Sequence, residues 1–267
     1  MAAEPDALGE WLRRFGVPAA AVAHQRLFKT ELTRHGGLSK AEQRQLEAAE
    51  LIELRALIKP AHVQAPAVQT AQAEYLEIAV LHLVLNKPMP KPAAAQALQK
   101  AVPYPALVIL SHGDQWRLHL AEKRPPHAQD RKSAPDKLLI EHEYDSGWLA
   151  APGAPAAPAF WELAFWDAFA LPHCRRSNLQ VLYRDLCARV LALNCAAVSG
   201  DFRLSDPALG ESLPARRQRL ARARELERDI RAARAKIRQE SDFAAKLALN
   251  QRISQLRQQH AALQKQL

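Results

Sequence analysis

The last 54 residues constrain this chain most, because one helical stretch there holds its entire net charge. From Pro214 to Leu267 there are 14 Lys and Arg against 5 Asp and Glu, while the whole chain has 37 against 28. Residues 1–213 are therefore neutral, with 23 of each sign. Within the tail, Leu226, Ile230, Ala233, Ile237, Glu240, Ala244 and Leu247 follow a 4-3 rhythm. After a slip of two residues, Leu249, Ile253, Leu256, His260, Leu263 and Leu267 resume it. Sustained heptads argue for a coiled coil. The slip fits a stutter in one long helix. It fits equally a helical hairpin that bends near Ser241, with Ser241 or Asp242 capping the second helix.

The neutral remainder reads as a folded body ending near residue 210, long enough for a sizeable core. A 48% hydrophobic composition excludes a disordered chain. No run of about 18 apolar residues is present, so no membrane span is expected. No charged and apolar leader is seen, and Cys174, Cys187 and Cys195 are too irregularly spaced for a disulfide framework. The expectation is a cytoplasmic protein in a reducing compartment.

The first sixty residues read mainly as helix. Trp11, Leu12 and Phe15 form one apolar face, and Pro18 suits the first turn of a helix running to about Arg34. Ser39 and Glu42 form a capping box that opens the next helix. Residues 51–58 either continue it or form a strand, and Pro60 ends either one. The strongest strand signal runs from Glu74 to Leu85 and is apolar on both faces. A short helix, 93–102, precedes a strand at 106–110, a turn at His112-Gly113-Asp114 and a return strand at 116–122. A polar loop over 124–135 leads to an alternating strand at 138–144.

This order predicts an α+β fold: an antiparallel mixed sheet with helices on one face, carrying a C-terminal basic coiled-coil or helical-hairpin arm. The expected parts are residues 1–149, a Pro/Ala connector at 150–159, a helical part at 160–213 and the arm at 214–267. In the helical part, the spacing of Phe160, Trp161, Phe165, Trp166 and Phe169 suggests a helix face against the core, and 178–193 is amphipathic.

The candidate site is the arm. Arg216, Arg217, Arg219, Arg222 and Arg224 come first, with no acid among them, and Arg228 and Arg231 follow. Such a cluster suits a phosphate backbone, whose attraction needs no sequence reading. An acidic protein surface is the competing partner. No catalytic constellation accompanies it. The nearest approach to a restriction-type metal site, Asp114 followed by Glu122-Lys123, lacks the residue required between Glu and Lys. Glu74 and Glu77 point to opposite faces, and Glu141 and Glu143 share one. There is no phosphate-binding glycine loop, zinc spacing or nucleophile elbow, so no cofactor or metal is expected.

Three stretches resemble the bacterial domain-of-unknown-function family 4391. They are Tyr75–Val84; Ala101–Leu110 with Gly113-Asp114 and Trp116–Leu118; and Ile237–Phe243 with Lys246–Asn250. Pro105 and the Ala/Pro run at 150–159 depart from that pattern. The resemblance implies an accessory protein encoded beside helicases and DNA methyltransferases in restriction-like and antiphage islands. The leading expectation is a non-enzymatic subunit that binds nucleic acid, DNA favoured, or a helicase or methyltransferase partner. The alternatives are a metal-dependent nuclease with a non-standard acidic site and a structural coiled-coil oligomer built through the C-terminal helix.

Overall fold

The structure is a computed structural model, and it describes residues 6–126, 138–155, 158–205 and 211–267. Parts of three expected connectors, 127–135, 156–157 and 206–210, lie outside the described residues. The chain forms two compact units, residues 1–190 and 191–267. The division falls inside a helix, not at the expected 213/214 boundary. The Pro/Ala stretch separates nothing, since both its flanks belong to the first unit.

In chain order the helices of the first unit are α1 (Ala7–Phe15), α2 (Lys29–His35), α3 (Lys40–Glu47), α4 (Pro60–Val63), α5 (Ala93–Ala101), α6 (Phe160–Ala168) and the start of α7 (Leu179–Ser199). The strands are β1 (Val22–Arg26), β2 (Ala49–Ile58), β3 (Val68–Gln69), β4 (Glu74–Tyr75), β5 (Ile78–Leu85), β6 (Ala106–His112), β7 (Gln115–Arg124), β8 (Leu139–Asp145) and β9 (Leu149–Ala150). The main sheet runs β1-β2-β5-β6-β7-β8, with β9 beside β7, while β3 and β4 pair separately. Its neighbours are antiparallel except β5 and β6, which are parallel and joined through α5.

Helices cover both faces of this sheet rather than one. Register places Val80, Leu107 and Leu120 side by side on one face, and Leu81, Val108 and His119 on the other. The second face packs against Leu46 of α3 and Ala94, Ala95 and Leu98 of α5. On the first face, Trp116 meets Trp11 of α1 and Trp166 of α6 edge-on at 5.6 and 6.3 Å. β5 is apolar on both sides because a strand with a parallel neighbour and two covered faces has no solvent side. Where the β6–β7 ladder stops at Leu107–Leu120, side chains replace strand partners. Tyr183 Oη accepts from the Ala121 amide at 3.0 Å and donates to Ala106 O at 2.8 Å. Gln99 Nε2 donates to Ala106 O and His119 O from the other face. Backbone groups this deep need such partners.

The expected helix over 18–34 is corrected. Pro18 is extended and opens a single 3₁₀ turn, Ala19–Ala21; β1 follows, and helix begins only at Lys29. Pairing with the open edge of β2 outweighs the helical preference of the alanines. The ambiguous 51–58 segment is strand, and the 74–85 strand is interrupted at 76–77. The Ser39–Glu42 capping box forms as expected, with both reciprocal hydrogen bonds. The hairpin turn is Gly113-Asp114, where Gly113 has φ 53°. In α6, Phe165 and the following Phe169 are buried, but Phe160 is 82% exposed, so the aromatic run is split between core and solvent.

The second unit contains the last turns of α7, α8 (Leu213–Gln239) and α9 (Phe243–Gln264). The long single helix does not form. Instead, α8 and α9 pack antiparallel as a hairpin through Leu226, Ile230, Ala233, Ile253 and Leu256. The break between the helices, Glu240 to Asp242, lies at the polar stretch near Ser241, while the two-residue slip between Leu247 and Leu249 falls inside α9.

Candidate nucleic-acid interface

The hairpin is set by local chemistry at both helix starts. Ser212 caps α8 by accepting from the Ala215 amide at 3.3 Å, and Pro214 sits in the first turn, where no amide partner is needed. Asp242 caps α9 through the Ala245 amide at 2.8 Å. Between them Glu240 Oε1 accepts from the amides of Ser241 and Asp242 at 2.9 and 3.0 Å, which folds the connection. These bonds hold the Glu240 carboxyl below its ordinary pKa.

The seven arginines singled out from sequence have different fates. Arg216 is buried, 1% exposed, and its guanidinium donates to Ser205 Oγ at 3.0 Å, Arg203 O at 2.6 Å and the backbone oxygen of Leu267. It is a structural pin and has no surface to offer a phosphate. Arg219 is ion-paired to Glu211 and Arg222 to Glu225. Arg224 is exposed and donates to Asn194 Oδ1 at 2.7 Å. Arg217 is half-buried. Arg228 and Arg231 are exposed and have no hydrogen bond or ion pair among the described residues. Arg234, Lys236 and Arg238 share that condition and extend the free charge toward the hairpin tip. The root of the arm, where the sequence concentrates arginine, is therefore largely satisfied internally. Among the described residues of α8, the cations with no hydrogen bond or ion pair lie in its outer half.

Helix geometry sorts them further. At about 100° per residue, Arg217, Ala221, Arg224, Arg228, Arg231, Ala235 and Arg238 fall on one ribbon with 4-3 spacing. All but half-buried Arg217 are exposed. The ribbon has no acid, and its only uncharged members are alanines. It lies roughly 160° around the helix from the seam of Leu226, Ile230, Ala233 and Ile237, so α9 covers the opposite side. Of the nearby acids, Glu225 is held by Arg222, and Glu227 faces His260 at 3.2 Å. A groove of about 640 Å³ beside the same helix is lined by Gln218, Arg219, Arg222, Glu225 and Arg228 of α8 and Leu263 of α9. The signal for the ribbon was present in the sequence: the heptad count that finds the apolar seam also finds a second heptad line of Arg and Ala.

The acidic residues considered for metal chemistry do not converge. Asp114 lies in a turn, while Glu122 is buried and has both oxygens engaged, Oε1 by Arg184 Nε at 2.9 Å and Oε2 by Tyr144 Oη at 2.6 Å. Lys123 is buried on the opposite face and donates to Val102 O and Tyr104 O, just past the C-terminal end of α5. Glu141 pairs with Arg124, and Glu143 accepts from Gln96. Among the described residues, no three His, Cys, Asp or Glu side chains are placed to share a metal ion. No helix of the described residues is long and apolar enough to cross a membrane.

The sequence matches the family described as Domain of unknown function (DUF4391) over residues 15–259. The chain belongs to that family. No curated protein and no solved structure matches it. The DUF4391 match spans the sheet, α7, α8 and most of α9, so the hairpin is part of the family's domain and not an appendage to it.

Proposed function

We propose that this DUF4391 protein is a non-enzymatic nucleic-acid-binding subunit of a bacterial DNA-targeting defence complex, with the α8 ribbon as its polyanion contact. The carrying observation is the acid-free line Arg217, Arg224, Arg228, Arg231 and Arg238, interrupted only by alanine. Grouping arginines on one face of a helix, where like charges at this spacing are destabilising, favours a negative surface that meets them. Alanine between them leaves room for a backbone to approach. A helicase or methyltransferase partner in the cytoplasm belongs to the same reading through the resemblance, not through any contact.

The test is binding of the full chain to nucleic acid against salt, beside a variant with Arg224, Arg228, Arg231 and Arg238 changed to Ala. Binding by the ribbon predicts that log K falls with log salt at a slope of roughly −0.9 per phosphate neutralised, and that the variant loses most of that slope. An unchanged slope in the variant rejects the ribbon as the contact.

A further inference from the structure

We infer that the ribbon takes B-form duplex DNA by its phosphates, in preference to a single strand or an RNA duplex; this rests on the nucleic-acid reading above. From Arg224 to Arg238, the exposed arginines of the ribbon, the helix rises about 21 Å, within the roughly 34 Å of one duplex turn. The charges are held in line by one helix whose other side is fastened to α9. A fixed line of cations matches charges that are fixed in a duplex, whereas a flexible strand must lose conformational freedom to follow it.

The side chains present point the same way. Sites for single strands combine a basic groove with aromatic platforms on which bases stack. No aromatic residue occurs anywhere in α8. The exposed Phe243 of this unit begins α9, beyond the end of the ribbon. RNA duplexes are read largely through 2′-hydroxyls across a wide minor groove, while their major groove is too deep and narrow for side chains. The ribbon has no Asn, Gln, Ser or Thr to exchange hydrogen bonds with hydroxyls. The B-form major groove, about 12 Å wide, admits a helix of about 10–12 Å diameter, and the ribbon is the side of α8 turned away from its partner helix.

Fluorescence anisotropy of the full chain with three labelled probes tests this: a DNA duplex of about two helical turns, one of its strands alone, and the RNA duplex of the same sequence. The DNA duplex is expected to bind about tenfold more tightly than either other probe at each salt concentration, with a log–log salt slope near −4. Arg228→Ala/Arg231→Ala should make that slope shallower by about 2 while leaving the thermal unfolding midpoint in place. Equal or tighter binding of the single strand, or of the RNA duplex, overturns the inference and leaves the general nucleic-acid reading standing. Failure of all three probes to bind at low salt overturns both.

Discussion

Arg216 and Leu267, 51 residues apart, are joined by a hydrogen bond from the buried guanidinium to the backbone oxygen. The same guanidinium reaches Arg203 O and Ser205 Oγ, so one side chain ties together the start of α8, the segment before it and the stretch that follows α9. Its charge is met by the Arg203 carbonyl, the Ser205 hydroxyl and the Leu267 oxygen.

This arrangement predicts a separation of roles along α8. Arg216→Met removes a buried donor and leaves its acceptors unsatisfied, at about 1–3 kcal/mol for each group that finds no water. The full chain should unfold at clearly lower urea concentration, and binding to nucleic acid should follow stability. Arg231→Ala, at an exposed position with no hydrogen bond or ion pair among the described residues, should change stability by no more than about 0.5 kcal/mol while weakening binding. Urea unfolding and anisotropy on the two variants measure both quantities. Equal stability loss in both would show that the outer arginines are structural as well.

Arg117 supports a second prediction, in the first unit. Its Nε and Nη2 each stand 2.6 Å from one oxygen of Asp145, Nη1 donates to Met89 O at 2.9 Å, and its carbon lies 5.9 Å from the Trp148 ring centre. Lysine keeps the charge but cannot reproduce the two-pronged bond or the planar contact. Arg117→Lys should therefore cost about 1–3 kcal/mol in urea unfolding, although it is nominally conservative. A loss near zero would mean the carboxylate and carbonyls find water when the fork is removed.

The turn between β6 and β7 gives a smaller, cleaner effect. Gly113 has positive φ at the first of two loop residues, with open space where a side chain would stand. Gly113→Ala is therefore strained by backbone conformation and not by collision. A loss of about 1 kcal/mol is expected, with the thermal midpoint as readout. A Gly113→Asn variant should recover part of it, because Asn tolerates the left-handed region better.

How far the sequence carried these structures depended on where the information sits. The Ser39–Glu42 box, the Gly113 turn and β5 through β8 were legible because caps, turns and periodicity are local. β1 was not, because an exposed edge strand of the composition Val-Ala-His-Gln-Arg has no alternation and forms only by pairing with β2. Coverage of both sheet faces also escaped, since α1, α6 and α7 reach the sheet from distant parts of the chain. At the arm, charge counting located the helix but stressed its root, where Arg216 is buried and Arg219 and Arg222 are ion-paired. Charge alone does not distinguish Arg216, which points inward, from Arg217 beside it; azimuth does. The tie from Arg216 to Leu267 has no sequence signal at all.

His119 makes the pH dependence of the first unit predictable. It is fully buried, neither ring nitrogen has a hydrogen-bond partner among the described residues, and Glu143 Oε1 stands 3.5 Å from Nε2. Burial, with Arg117 and Lys123 nearby, lowers its pKa to about 4 despite the opposing pull of Asp145. Burial likewise raises the pKa of Glu143. His82, whose Nε2 is 2.8 Å from Ser111 Oγ, is also lowered to about 4 by burial. An unfolded histidine takes its proton near pH 6.5 (about 6.5 by reference value), so between there and about pH 4 the unfolded chain binds more protons than the native one. The stabilising effect of keeping these rings neutral is complete above pH 6.5, declines as pH falls toward 4, and changes no further below (pKa reference about 6.5). Each histidine accounts for at most roughly 3 kcal/mol of that decline. His119→Leu removes one of the two proton sites without removing a hydrogen bond made by the ring. It should leave stability at neutral pH within about 1.5 kcal/mol and make the variant more stable than the parent near pH 4.5, by roughly 2 kcal/mol. Urea unfolding of both proteins across this range decides the matter: curves that fall in parallel would place the acid sensitivity at His82 or at the carboxylates instead.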